Sequence, residues 1–279
     1  MQPTWILIAA LTVSVPAIAR ADDDVKGTFD WRLPKRSYVW DGGAVPFLYL
    51  PLALTIGLKF TSPRAEPLMF ASTEGGAHYD GGQYPSAMLY VGAGVAGATI
   101  LLGGDDSRWH HVKGFLQGVL TTQLLTHTAK NTFGRHRPHY DLAEGAVNDD
   151  DRRRSFWSGH SSSTLATATY LGLYARYHLF NRWRPPGTLP WWEVAAYTGL
   201  AVAALAVPYS QYALNRHHAS DVITGGLVGA GVSTLFFVYQ ERRYRRDKAQ
   251  PGDTSRPEPF ELSIVPNTSI NGITIVGTW

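Results

Sequence analysis

Six long apolar segments restrict what this chain can fold into. They cover residues 44–58, 86–103, 112–129, 160–179, 192–208 and 221–239. Each segment has the length of a helix, is rich in Ala, Leu and Gly, and lacks the alternation of apolar and polar residues that marks a half-buried strand. The segments predict an all-α fold, a bundle of about six helices. The glycine-rich stretches 92–98 and 225–231 suit close contacts between these helices.

The N-terminus directs the chain to the cell envelope. An apolar run from Trp5 to Ile18 precedes small residues in the pattern of a cleavage site, which predicts a signal peptide. No Lys or Arg precedes the run, so an uncleaved membrane anchor is the alternative. We expect a bacterial envelope protein in either case.

The composition and patterning divide the chain into four parts. These are a signal peptide over 1–21, a lead-in with the first apolar helix over 22–85, a helical domain over 86–240, and a tail over 241–279. The tail contains a basic segment, a linker rich in proline and glycine, and a short C-terminal β-hairpin around Asn271 and Gly272. A net charge of +3, spread in short clusters, argues against nucleic acid as a partner. The absence of cysteine excludes disulfides and thiolate catalysis.

The hydropathy leaves the number of membrane spans open. A span needs about 20 apolar residues, but the third segment contains Lys113 and His127, and the first contains two prolines. Basic clusters lie at residues 108–113, 176–184 and 242–246. By the positive-inside rule they place the opposite end of the bundle outside the cytoplasm. Six full spans after an exported N-terminus would instead place that end in the cytoplasm. Either segment 44–58 therefore does not span the membrane, or the bundle is a periplasmic globule. We expect membrane association.

The first motif closes the third helix with two fixed cations. Lys130 and Arg137 are seven residues apart, and Pro138 stops the helix. Two cations at a helix end can clamp an anion, although a basic loop or a membrane-surface anchor has the same composition. An acidic and then basic loop follows at residues 140–157, which is typical of a solvated loop.

The second motif begins the fourth helix. Ser158 is a natural N-cap, and the free N–H groups near Gly159 and His160 attract a phosphate or another oxyanion. His160 could donate a proton to a leaving oxygen there. A simple cap uses the same geometry, and the pattern Gly-x-Ser-x-Gly of a serine hydrolase is absent.

The third motif places a histidine before the sixth helix. His217 precedes Asp221 by four residues, and a carboxylate at that distance can orient an imidazole for nucleophilic attack. The alternative is a structural role for this pair, as a helix cap or a surface pair. For the other histidines, which lack a His-Glu-x-x-His metal motif, we expect structural or interfacial roles: His78, His110, His111, His127, His139, His178 and His218.

Together, the three motifs resemble the type 2 phosphatidic acid phosphatase superfamily, which also includes class A acid phosphatases and vanadium haloperoxidases. The family pattern is Lys-x6-Arg-Pro, then Pro-Ser-Gly-His, then Ser-Arg-x5-His-x3-Asp. The matching residues here are Lys130, Arg137, Pro138, Ser158, Gly159, His160, Ser210, His217 and Asp221. The resemblance covers roughly residues 86–240, which makes that segment the expected catalytic domain.

The resemblance implies phosphoryl transfer without a metal or other cofactor. His217 would attack phosphorus, Asp221 would orient it, and His160 would protonate the leaving group. The phosphate-binding residues implied are Lys130, Arg137, Ser158 and Gly159. The substrate class is a phosphomonoester or diphosphate, with a phosphorylated lipid expected because of the apolar bundle, and an active site facing the periplasm. The sequence does not indicate an oligomeric state.

Two positions depart from the family pattern. Trp157 stands in place of the proline, and Gln211 stands in place of the second phosphate-binding arginine, which removes a positive charge. Arg216 and Arg135 are the candidates for a compensating cation. The alternatives are a soluble periplasmic acid phosphatase, a vanadate-dependent haloperoxidase, and a phospholipid-binding protein that has lost turnover.

Overall fold

The computed structural model describes residues 43–68, 84–103, 106–138, 149–184 and 188–249, together with the backbone of two strands near the C-terminus. Three predicted features lie outside the described residues: the signal peptide, the polar lead-in before residue 43, and most of the linker after residue 249. Residues 140–148 of the predicted loop lie outside them as well.

The described chain is built from helices of very different lengths. They are α1 (Leu50–Lys59), α2 (Tyr84–Leu102), α3 (Arg108–Phe133), α4 (Asp149–Arg152), α5 (Gly159–Tyr174), α6 (Trp191–Ala213) and α7 (Ala219–Ala249). A π-helical turn, Val45–Tyr49, precedes α1, and another, Ala175–Leu179, continues α5 into the 3₁₀ turn Phe180–Arg182. The strands β1 (Glu261–Asn267) and β2 (Gly272–Thr278) are antiparallel.

The predicted fold class is wrong in two respects. The described residues contain seven α-helices rather than about six, because Asp149–Arg152 forms a short helix that has no apolar periodicity to reveal it. The predicted C-terminal β-hairpin is not seen as part of this fold. The two strands pair with each other, and the described residues of the buried core cluster all lie in helices. The fold that positions the site is therefore entirely helical.

Two helix ends bring motif residues into position. Helix α3 ends at Gly134, whose φ of 58° is left-handed and whose N–H donates to the carbonyl of Lys130. A side chain at Gly134 would overlap the carbonyl of Arg64, so the close approach also requires glycine. Helix α5 begins at Ser158, whose side chain accepts a hydrogen bond from the N–H of Ser161.

Helices α5 and α7 lie against each other through glycine. A Cβ added at Gly225 would lie 2.6 Å from the carbonyl oxygen of Ser158, and one at Gly229 would overlap the carbonyl of Ser162. The close contact predicted for the stretch 225–231 is thus present at these two positions. Gly92 of the other stretch meets no described atom within 4 Å, so that glycine is not needed for packing.

Three described helices are long and apolar enough to cross a membrane, namely α2 from Pro85 onward, α6 and α7. Most residues of these helices are not buried by the protein, and large apolar side chains such as Val91, Val202 and Leu235 are exposed. Exposed apolar faces on helices of this length fit contact with lipid, which supports membrane association.

Candidate active site

Three helix ends meet at one end of the bundle, and each carries one of the predicted motifs. Lys130 lies in the last turn of α3, Gly159 and His160 begin α5, and Asp221 lies in the first turn of α7. The backbone N–H of Ser158 donates to the carbonyl of Asp221 over 3.0 Å, which joins the starts of α5 and α7.

His217 lies in the loop just before α7 and is buried. Its Nδ1 is 3.8 Å from Oδ2 of Asp221, which is longer than a hydrogen bond. The hydroxyl of Ser155 lies close to both groups: it donates to Asp221 Oδ2 over 2.5 Å and is 3.5 Å from His217 Nδ1. Ser155 therefore connects the carboxylate to the imidazole in this structure.

The buried carboxylate of Asp221 has a cationic partner. Nη1 of Arg135 donates to Asp221 Oδ1 over 2.5 Å and to the hydroxyl of Ser220 over 2.8 Å. The N–H of His218 donates to the other carboxylate oxygen. Arg135 therefore neutralises Asp221, and its role as a cation that replaces the missing arginine stays a prediction.

Arg137 is held by the short helix α4. Its Nε donates to the carbonyl of Asp151, and its Nη2 donates to Oδ1 of the same residue over 3.0 Å. Nη1 lies 3.4 Å from the carbonyl oxygen of Arg216. Asp151 thus fixes one side of the guanidinium, and the third nitrogen reaches the loop that carries His217.

The start of α5 lies beside the amine of Lys130. A Cβ added at Gly159 would be 3.9 Å from Lys130 Nζ and 3.4 Å from Thr126 Cγ2. The hydroxyl of Ser158 accepts from the hydroxyl of Ser161 as well as from its N–H. The N-terminus of α5 and the amine of Lys130 together form a positively charged site, which is called the phosphate recess, or the recess, below.

His160 receives a partner from outside the motifs. Its Nε2 is 2.9 Å from the hydroxyl of Ser86, which lies in the first turns of α2. The nitrogen is a donor or an acceptor according to the tautomer. Helix α2 thus reaches the site through one serine.

Burial keeps both histidines neutral. Burial is the largest cause of the lowered pKa of His217, about 3; Asp221 opposes it, and Arg137 and Lys130 lower the pKa further. The pKa of His160 is lowered to about 4, mainly by burial and then by Lys130 and Arg137. Both imidazoles are therefore uncharged at neutral pH.

Lys130 is a cation only in part. Burial lowers its pKa to about 7, and the charge of Arg137 acts in the same direction, while Asp151 and Asp221 oppose the shift. A neighbouring anion would favour the protonated amine. The charge of this recess therefore responds to what binds in it.

The comparisons with known proteins agree with the motifs. The family model described as the PAP2 superfamily matches residues 111–245, which include Lys130, His160 and His217. Over these residues the chain is similar to the PAP2 superfamily. Ser86 lies before the matched region, so its contact with His160 comes from a helix that the match does not include.

Curated relatives are PAP2-type proteins named phospholipid phosphatases. Phospholipid phosphatase 2 of Bos taurus is 31% identical over 180 residues, 56% of this chain and 58% of the relative. Phospholipid phosphatase 2 of Rattus norvegicus is 32% identical over 149 residues, 45% of this chain and 51% of the relative. Phospholipid phosphatase 1 of Mus musculus is 29% identical over 153 residues, 46% of this chain and 51% of the relative. The chain spans about half the length of these relatives. No solved structure matches it significantly.

Gln211 occupies the position of the missing PAP2 arginine and is buried. Its backbone carbonyl accepts from the N–H groups of Arg216 and His217, so it lies against the loop that carries the histidine. Its side-chain Nε2 has no hydrogen-bond partner among the described residues. Gln211 therefore offers an uncharged donor, and Arg216 stays the predicted compensating cation.

Sequence reasoning missed Ser86, Asp151 and the role of Ser155. Ser155 stands only three residues before Ser158, but its partner Asp221 is 66 residues away. No local sequence pattern predicts such contacts. Within the described ranges, one group of three His, Asp or Glu side chains has the spacing of a metal site, and it lies away from this recess, on residues His111, His178 and Glu241.

Proposed function

We propose that the chain is a phosphatase that hydrolyses a phosphomonoester or diphosphate, with a lipid as substrate, through a phosphohistidine and without a metal at the reaction centre. One observation carries the proposal: two neutral imidazoles, His217 and His160, lie beside the cations Lys130 and Arg137 where three helix ends meet. A nucleophile, an acid and an anion-binding recess are what phosphoryl transfer requires.

In the first step, Nε2 of His217 attacks phosphorus, because Nδ1 faces Ser155 and Asp221. The P–N bond forms as the bond to the leaving oxygen breaks, and His160 gives that oxygen its proton. Asp221 stabilises the positive charge that develops on the imidazole. In the second step, water attacks the phosphohistidine, His160 takes its proton, and phosphate leaves.

His160 must be protonated to act as the acid, although its pKa without a bound anion is about 4. A bound phosphate dianion offsets the charges of Lys130 and Arg137 that lower this pKa. Substrate binding would therefore supply the charge that allows His160 to carry its proton. The acid is available only when there is a leaving group to protonate.

The proposed phosphate contacts come from different elements. Lys130 and Arg137 would bind the equatorial oxygens from one side, and the hydroxyl of Ser158 and the N–H of Gly159 from the start of α5. Arg216 lies beside them and its charge reaches His160, which supports it as the cation that replaces the missing arginine.

A lipid substrate is favoured by the surroundings of the recess. The candidate membrane spans α2 and α7 begin beside it, and both carry exposed apolar side chains, including Tyr90 and Ile223. Relatives named phospholipid phosphatases point to the same substrate class. The basic clusters at the other end of the bundle favour an orientation with the recess in the periplasm.

The decisive experiment combines phosphoenzyme trapping with leaving-group dependence. The full chain in detergent is incubated with phosphate-labelled lipid and soluble substrates, as wild type, His217→Ala, His160→Ala and the distant control His110→Ala. We expect His217→Ala to lose both phosphate release and an acid-labile phosphoenzyme. His160→Ala should lose about 10²- to 10⁴-fold with an alkyl phosphate and less with p-nitrophenyl phosphate, whose leaving group needs no proton.

The controls distinguish the competing functions. His110→Ala should behave as wild type, because its ring contacts Asp247 at the opposite end of the bundle. Phosphate release that survives His217→Ala would refute the mechanism. Halide oxidation that depends on added vanadate, without phosphate release, would establish the haloperoxidase alternative instead.

A further inference from the structure

A second polar cluster is buried at the other end of the bundle. Nε2 of His111 is 3.2 Å from Oε2 of Glu241, and Nε2 of His178 is 2.8 Å from the same oxygen. The three side chains are all buried. One possible ligand atom of each residue lies within 4.8 Å of those of the other two, so two imidazoles and one carboxylate are close together.

The cluster is remote from the proposed active site along the same helices. His111 precedes Lys130 by 19 residues on α3, and Glu241 follows Asp221 by 20 residues on α7. At a rise of 1.5 Å per residue, these separations are about 30 Å. His178 likewise lies at the far end of the helix that begins at Gly159. The cluster therefore cannot share a ligand with the phosphate recess.

The geometry fits a small divalent ion. Zinc ligands at about 2.0–2.1 Å in a tetrahedron are separated from each other by about 3.3 Å. The two separations between imidazole and carboxylate are 3.2 and 2.8 Å, and all three ligand atoms lie within 4.8 Å of one another, so small movements of the side chains would admit the ion. Nε of Arg245 donates to the other carboxylate oxygen, Oε1, which leaves Oε2 directed at the histidines.

Oxygen atoms support the outer nitrogen of each imidazole. Nδ1 of His111 is 3.2 Å from the hydroxyl of Tyr170, and Nδ1 of His178 is 3.1 Å from the hydroxyl of Ser107. A histidine that binds a metal through Nε2 usually donates its Nδ1–H to an oxygen in this way. Both histidines therefore have the outer contact that a ligand requires.

The local fold places His178 in the cluster. It lies in the π-helical turn Ala175–Leu179, an irregularity that occurs often at functional sites in otherwise regular helices. Aromatic rings enclose the cluster: Phe237 stacks on His111 at 4.9 Å, and Tyr174 stacks on His178 at 5.0 Å. The rings hold both imidazoles in place.

We propose that His111, His178 and Glu241 bind one divalent transition-metal ion of the zinc class. The ligands are the two Nε2 atoms and Oε2, with the fourth position for water. The ion joins α3, the end of the α5 segment and α7, and so stabilises the bundle opposite the phosphate recess. It takes no part in phosphoryl transfer. The ligands are more than 60 residues apart in sequence, so no metal-binding sequence motif reveals them.

Hydrogen bonds alone are the competing arrangement. In that case each Nε2–H donates to Glu241, and each Nδ1 accepts from a hydroxyl. With the ion bound, each Nε2 carries a lone pair to the metal, and each Nδ1–H donates to the hydroxyl instead. Hydroxyls accept or donate equally well, so the contacts are compatible with both, and metal binding itself distinguishes the two.

The test uses the full chain purified in detergent, stripped with chelator and then dialysed against Zn²⁺ or Co²⁺. We expect one ion per chain by elemental analysis, a visible Co²⁺ spectrum of a tetrahedral site, and a melting temperature raised by about 5–10 °C at a free ion concentration a hundredfold above Kd. His178→Ala and Glu241→Gln should lose the ion and the shift. The control His110→Gln, on the same helix but outside the cluster, should keep both.

Two results would overturn the proposal. The first is a wild-type chain that binds less than one tenth of an equivalent of either ion. The second is an ion that Glu241→Gln retains with unchanged affinity and spectrum. Because metal content, spectrum and melting temperature are the readouts, a failure here is separate from a failure of the phosphatase proposal.

Discussion

The amine of Lys130 should make phosphate binding weaken as the pH rises above 7. Without a bound anion its pKa is about 7 because of burial and the charge of Arg137. A phosphate dianion binds the protonated amine and raises that pKa. Affinity is therefore full below pH 7 and decreases through the range between the free and the bound pKa.

The size of the effect follows from the protonated fraction of Lys130. With a pKa of about 7, half of the amine is protonated at pH 7 and about one hundredth at pH 9. The contribution of the lysine to affinity should therefore fall about fiftyfold over that interval. Arginine in the same position stays protonated throughout, so Lys130→Arg removes this dependence.

The assay is the inhibition constant of orthophosphate against the full chain in detergent, from pH 6 to 9. The ratio of wild type to Lys130→Arg cancels the ionisation of phosphate and of the other groups in the recess. We expect this ratio to change about fiftyfold between pH 7 and pH 9. Lys130→Met should bind weakly at every pH. A constant ratio would refute the reasoning that Lys130 is a titrating phosphate ligand.

Two further predictions test contacts around the site. Ser155→Ala removes the hydroxyl that donates to Asp221, and loss of a hydrogen bond to a charged group, about 1.5–3 kcal/mol, should lower kcat at least tenfold with KM unchanged; steady-state kinetics that match wild type would contradict this. Gly229→Ala should lower the free energy of unfolding by about 1–3 kcal/mol, since the methyl overlaps Ser162. Gly231→Ala should not lower the free energy of unfolding, because a Cβ added at Gly231 has no other atom within 4 Å. Thermal unfolding measures both variants.

The sequence predicts candidate site residues where its signals are local. A lysine in the last turn of a helix, a serine that caps the next one, and a histidine before a third can each be recognised from their neighbours. Contacts that depend on tertiary packing could not be recognised. Ser86 approaches His160 across 74 residues, and Asp151 holds Arg137 from a helix too short to show periodicity.

The two arginines of the first motif show the same limit in detail. Arg135 and Arg137 are the same residue type and are two residues apart. Nevertheless, Arg135 pairs with Asp221, whereas Arg137 pairs with Asp151. Their different roles follow from the turn after Gly134, which directs the chain past α7 and then toward α4. The prediction of the fold class was wrong for a related reason, because apolar periodicity detects long helices and misses the short helix α4.

The distribution of charge explains how the recess can act with one arginine fewer. Arg135 neutralises the buried Asp221, so the nucleophile keeps a carboxylate partner without adding a net negative charge near the phosphate. Burial, together with Lys130 and Arg137, keeps His160 unprotonated until an anion arrives, and the anion in turn favours the charged forms of both Lys130 and His160. Positive charge therefore increases when the substrate binds, instead of being fixed in the empty recess. A neutral Gln211 is compatible with such a site, because part of the charge that a second arginine would hold permanently is gained on binding.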